Sequence, residues 1–194
     1  MDELTKQSYS IYMKPRGLSF GNGEINYGLS MIFSNSVIEF RKTDDETKRI
    51  ETEYKKNQKI NLAQSLIQLS EKRNEKGVML IISAVALLEQ KLYNYAISYL
   101  NPDSYEEHFE RLRLHTKWLL VPRLCQNKII TETDPAITHL KELITARNAV
   151  IHPKRQVMYD VVTTNRRLDK EVRRFIAACR GADKTVTDVI NLLK

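Results

Sequence analysis

The segment TARNAVIHPKR, residues 145–155, brings three side chains of chemical interest close together. Arg147 carries a planar fork of hydrogen-bond donors that matches phosphate oxygens. His152 can give or take a proton near neutral pH. Asn148 directly follows the arginine and could orient either the anion or the imidazole. These residue types at this spacing favour a site that binds a phosphate and moves protons.

An amphipathic helix is predicted to position these side chains. Asp134 suits the N-cap and Pro135 the first helical position. His152 precedes a proline, which disfavours helical geometry, so we expect the helix to end near Ile151. At about 100° per residue, Arg147 lies only about 20° from Leu140, on the apolar face of the helix.

A cation on an apolar face needs compensation, because an unpaired buried guanidinium costs several kcal/mol. Three kinds of partner would provide it: an internal carboxylate, a second subunit or an anionic ligand. Glu89, the one acid in the apolar stretch ALLEQKLYNYA, is the candidate internal partner of Arg147.

The motif RNAVIH resembles the signature of HEPN domains, the higher-eukaryote and prokaryote nucleotide-binding helical bundles. The segment KWLLVPRL and the helix LKELITARNAVIHPK are similar to bacterial members, and the resemblance covers residues 78–194. It implies a four-helix bundle that forms a homodimer and, in many members, a metal-independent endoribonuclease. Carried over to this sequence, the catalytic residues are Arg147, Asn148 and His152.

The chemistry that the resemblance implies requires no metal and no cofactor. RNA supplies its own nucleophile, the 2′-hydroxyl, so the protein has only to move protons and stabilise charge at phosphorus. Toxin and phage-defence members also imply an antitoxin or other regulatory partner. Those neutralised by a nucleotidyltransferase carry a tyrosine where this chain has Lys154, so that route of control is not expected.

Positive charge is concentrated around this motif. Between Lys141 and Arg180 the sequence has ten Lys or Arg and four acids, a net +6 out of +7 for the whole chain. Such a segment indicates a polyanionic partner, and RNA fits the resemblance. A solvated arginine-rich helix face is the alternative. The predicted RNA-binding residues flank the motif or follow helical spacing after it: Lys154, Arg155, Arg166, Lys170 and Arg173.

The chain is predicted to be all-α, a HEPN-like four-helix bundle with additional helices over residues 44–194. Residues 1–43 hold four of the six glycines and are expected to form an irregular N-terminal extension. Helices are predicted at about 44–72, 78–100, 135–151, 165–179 and 184–193, with a shorter one through Phe109. The acidic segment KTDDETK is expected at a helix N-terminus.

The longest apolar run, VMLIISAVALL from Val78 to Leu88, is too short to cross a bilayer and predicts a buried helix. A charged segment followed by an apolar one is not seen at the start of the sequence, so secretion is not expected. Cys125 and Cys179 lack the spacing of a metal site, so reduced thiols and a cytoplasmic protein without membrane attachment are expected.

Three functions remain open at this point. The first is the ribonuclease. The second is a catalytically inactive HEPN-like dimer that binds nucleic acid or a protein. The third is a purely structural bundle in which Arg147 pairs with Glu89.

Overall fold

A computed structural model describes residues 22–151 and 161–194, with side chains described for 28–151 and 169–194. Within these ranges the regular secondary structure is helical, with no strand, so the predicted all-α class is confirmed. Its six helices are α1 (Asn22–Asn57), α2 (Ile60–Ile97), α3 (Pro102–Phe109), α4 (Leu114–Gln126), α5 (Pro135–Ile151) and α6 (Val161–Asn191).

The centre of the bundle is α2, which contacts every other helix. The apolar run from Val78 to Leu88 lies within it, and Leu80, Ile81 and Leu88 are buried there. Met79 and Ile82 of the same run remain exposed on the outer side. The expected buried helix is therefore confirmed, with one face open to solvent.

The irregular extension expected for residues 1–43 is not found over residues 22–43, which belong to α1. Phe33, Val37 and Phe40 are spaced by one helical turn and are buried, so packing onto the core stabilises this segment as a helix. The helix continues without a break across residue 43. Residues 1–21 lie outside the described residues.

The boundary between α1 and α2 differs from the prediction. The helix expected over 44–72 ends at Asn57, where Gln58 adopts a left-handed conformation with φ of 47° and the chain reverses. Gly77, which separates the helices predicted over 44–72 and 78–100, lies inside α2 instead. Because Gly77 has no Cβ, α6 can pack closely against α2 at this point. A Cβ added there would lie 2.9 Å from Cys179 Sγ and 2.9 Å from Phe175 Cε1.

Two predicted C-terminal helices form the single helix α6. Its apolar stripe passes through Ile176, Cys179, Ala182 and Val186 without a shift in phase, so Gly181 does not interrupt it. The predicted start of α5 is confirmed, because Asp134 Oδ1 accepts a hydrogen bond from the Ala136 N–H at 2.8 Å. The described part of α5 extends to Ile151, and the predicted stop before Pro153 lies outside the described residues.

Candidate active site

Arg147 lies in the C-terminal part of α5, where the helix leaves the core. Leu140 and Leu143 on the same side are fully buried, whereas Ile144 and Arg147 are half-buried. One turn later Ile151 is 42% exposed. The azimuth predicted for Arg147 is therefore on the core side, but the guanidinium is at the edge of the bundle rather than inside it.

The hydrogen bond observed for Arg147 is local. Its Nη1 donates to Asn148 Oδ1 at 3.1 Å. This bond uses the carbonyl side of the Asn148 amide and leaves the amide N–H groups facing away from the arginine. Both side chains thus present donors, which is the arrangement that an anion requires.

Glu89 does not pair with Arg147. Glu89 is exposed on α2, and within the described part of the chain Arg147 makes no ion pair with an acidic side chain. The internal ion pair considered from the sequence is therefore not formed. The physical reason is that Arg147 reaches water at the bundle edge and does not need a buried carboxylate.

The other residues predicted for the site divide into two groups. His152, Lys154 and Arg155 lie outside the described residues, and the side chain of Arg166 does as well, although its backbone belongs to α6. Lys170 and Arg173 are described and exposed on α6, together with the neighbouring Arg174. These cations follow α5 along the chain, on the helix that packs beside it.

A charged cluster that the sequence did not predict surrounds Asp44 of α1. The Asp44 side chain is only 4% exposed, and Arg180 of α6 donates to both of its oxygens at 2.8 Å. Lys48 Nζ lies 2.8 Å from the same carboxylate and Arg73 Nη1 of α2 lies 3.7 Å from it. One carboxylate therefore connects three helices.

Opposing effects set the protonation of Asp44. Burial raises the pKa of this carboxyl, but hydrogen bonds from Arg180 and Lys48 outweigh the burial and hold the pKa below its usual value of 3.8. Asp44 is consequently ionised at neutral pH and neutralises part of the Arg180 charge. The segment KTDDETK was expected at a helix N-terminus and lies in the middle of α1 instead.

The sequence offered no signal for this cluster beyond the acidic residues themselves. Asp44 and Arg180 are separated by 136 residues, so only the packing of α1 against α6 reveals them as partners. A second ion pair between the same helices, Arg41 with Asp183, is more exposed. We assign both pairs to holding the helices together rather than to chemistry.

Neither a metal-binding cluster nor a membrane-spanning helix is found in the described parts of the chain. No three His, Cys, Asp or Glu side chains come together there in a way that would hold a metal ion. None of the helices there has both the length and the apolar character needed to cross a lipid bilayer.

Comparisons with protein-family models, with curated proteins and with solved structures found no match. The likeness to HEPN domains therefore depends on the motif RNAVIH and on its position at the end of α5.

Proposed function

We propose that this protein is a metal-independent endoribonuclease of the HEPN type, acting in a toxin or phage-defence setting in the cytoplasm. The observation that supports it most is Arg147 at the end of α5, with Asn148 beside it and His152 immediately after the helix. A half-buried arginine without an acidic partner in the described ranges is available to an anion. RNA phosphate is the anion that the neighbouring histidine can act on.

The reaction is an internal transfer at phosphorus. One His152 imidazole removes the proton of the 2′-hydroxyl, and the 2′-oxygen forms a new bond to phosphorus. The bond from phosphorus to the 5′-oxygen breaks, and a protonated imidazole gives this oxygen its proton. The products are a 2′,3′-cyclic phosphate and a 5′-hydroxyl. The reaction requires no metal or other cofactor.

Arg147 would stabilise the charge that develops on the non-bridging oxygens. The hydrogen bond to Asn148 restrains the guanidinium at 3.1 Å before the substrate arrives, so less conformational freedom is lost in the transition state. The amide N–H groups of Asn148 would donate to the same phosphate. Arg147 and Asn148 therefore act as one binding unit and His152 as the proton carrier.

A homodimer would supply the two histidines that the two proton transfers need. The exposed Ile151 supports an interface at this end of α5, because an apolar side chain open to water next to the site would be covered by the second copy. An antitoxin or other regulatory protein is the further partner that a toxin role would require.

The test is cleavage of RNA in the presence of EDTA, with the ends identified by mass spectrometry. We expect 2′,3′-cyclic phosphate ends. The rate should fall at least about 100-fold for His152→Ala, which removes the proton carrier, and for Arg147→Ala, which removes the charge stabilisation. His139→Ala is the matched control, since His139 is an exposed histidine of α5, the helix that carries Arg147. Cleavage by His152→Ala at the wild-type rate would rule out the proposal.

A nucleic-acid-binding module without catalysis is the second candidate. The exposed cations Lys170, Arg173 and Arg174 favour it, because they would bind RNA whether or not the site is active. It predicts salt-sensitive RNA binding, no cleavage, and no effect of His152→Ala on either measurement.

A further inference from the structure

Residues 169–174 of α6 differ in their surroundings from the described residues that follow them. From Ile176 onward one face packs on the core, whereas all six residues from 169 to 174 are exposed. Six helical residues cover about 600° of azimuth, which is more than one full turn. Of the described residues, only the turn between α1 and α2, residues 55–61, has as long an exposed run. This part of α6 therefore stands clear of the bundle.

The charges on this segment lie on one side of the helix. Lys170, Arg173 and Arg174 fall within an arc of about 100°. No acidic side chain in the described ranges pairs with any of the three. We call the arc formed by Lys170, Arg173 and Arg174 the basic track. Asp169 and Glu171 lie on either side of it, so a polyanion can approach only along the track.

Cations farther along α6 already have carboxylate partners. Arg180 is held by Asp44, and Lys184 pairs with Asp188 one turn away. A cation with an internal carboxylate partner contributes little to binding a phosphate. The available positive charge of the described part of α6 therefore ends at Arg174.

This basic track is at the same end of the molecule as Arg147. Helices α5 and α6 pack against each other and are joined by residues 152–160, and so short a connection favours an antiparallel pair. The end of α5 and the beginning of α6 consequently lie side by side. A polyanion bound to the track can extend to the candidate active site.

The composition of the track indicates which form of RNA it holds. Single strands are bound by aromatic side chains on which bases stack, together with a basic groove. Residues 169–174 contain no aromatic side chain, and the first one, Phe175, is half-buried. Paired RNA keeps its bases inside and is recognised through its phosphates and its shape. The track therefore suits a paired segment.

We propose that residues 169–174 of α6 hold the stem of a folded RNA while the loop of the same RNA reaches Arg147. This inference depends on the proposed ribonuclease function. Attack by a 2′-hydroxyl requires that it line up opposite the leaving 5′-oxygen, which a stacked duplex prevents and an unpaired loop allows. A molecule that is both held and cut must therefore contain a stem and a loop.

Binding is measured with the full chain carrying His152→Ala, so that the RNA stays intact. The probes are a stem–loop and an unpaired strand of the same length, titrated at several salt concentrations. The test variant is K170A/R173A/R174A. The control, K42A/R49A/K56A, removes three exposed cations of α1 that also have no acidic partner among the described residues.

We expect tighter binding of the stem–loop than of the strand. The test variant should weaken stem–loop binding about tenfold or more and reduce the slope of log affinity against log salt by about two, while the control changes affinity less than about threefold. Circular dichroism checks that both variants remain helical, which alanine favours.

Three results would overturn the inference: an equal loss in the control, equal or tighter binding of the unpaired strand, or binding of phosphatidylserine vesicles in place of RNA. Failure of the proposed function is seen separately. If His152→Ala in an otherwise unchanged chain cuts RNA normally, the catalytic assignment fails. If K170A/R173A/R174A cuts the stem–loop at an unchanged rate, only the role of the basic track is contradicted.

Discussion

Asp44 and Arg180 connect α1 to α6 through two parallel hydrogen bonds, in which Nε and Nη2 of the guanidinium each donate to a different carboxylate oxygen at 2.8 Å. Asp44 is 4% exposed, whereas the Arg180 side chain is 46% exposed. The carboxylate is thus the buried partner, and removing its charge leaves Arg180 and Lys48 without their anionic partner.

Asp44→Asn should lower the free energy of unfolding. A fully buried pair typically costs about 3–5 kcal/mol when broken, and the exposure of Arg180 reduces this to about 2 kcal/mol. Urea denaturation measures the change. The control is Asp183→Asn, which removes an exposed ion pair with Arg41 and should cost less than about 1 kcal/mol. Equal losses in the two variants would show that Asp44 has no special role.

The contribution of Asp44 should disappear in acid. Its pKa in the folded protein is below the usual value of 3.8, so the stabilisation is fully present above about pH 5 and is lost as the pH falls through the folded pKa. The difference in unfolding free energy between wild type and Asp44→Asn should therefore shrink from pH 5 toward about pH 2. A difference that stays constant over this range would contradict the assignment.

Gly77→Ala should destabilise the contact between α2 and α6. The new methyl group would lie 2.9 Å from Cys179 Sγ, so the helices must separate, at a cost of about 1–3 kcal/mol. Gly181→Ala is the matched control in α6, where the nearest neighbouring atom lies 4.0 Å away. It should be neutral or stabilise by up to about 1 kcal/mol. Thermal unfolding of the two variants distinguishes steric overlap from helix propensity.

Ile151→Asp should weaken the proposed dimer. A charge at this exposed position beside Arg147 would have to be buried between subunits, and we expect the dimer dissociation constant to rise at least about tenfold. Light scattering over a concentration series measures it. Leu124→Asp on α4, at a side chain that is 61% exposed, is the control and should not change the mass. If Ile151→Asp and Leu124→Asp have the same mass in solution, the interface lies elsewhere.

The local features of α5 were predictable because its signals are local. Asp134, Pro135 and the proline after His152 specify where the helix begins and ends, regardless of the rest of the fold. The buried run around Leu80 was likewise evident from its apolar composition. Arg147 was placed on the correct side of the helix, but its depth depends on how far α5 extends past the core.

Features that depend on distant residues were missed. A glycine within a helix costs only about 1 kcal/mol, so sequence reasoning interpreted Gly77 as a break, whereas α6 uses the space that the glycine leaves. Helix α1 was overlooked upstream of residue 44, although Phe33, Val37 and Phe40 already have helical spacing. The partner of Asp44 could not be found locally.

The long separation between Asp44 and Arg180 in the sequence affects how the chain folds during its synthesis. Helix α1 emerges early during synthesis, yet the residue that neutralises its buried carboxylate follows 136 residues later. Until α6 has emerged, the nascent chain exposes apolar side chains of α1 and α2 that α6 will cover, and such intermediates tend to aggregate. Completion of the bundle is therefore a late event, and chaperones that bind nascent helices would act before α6 docks.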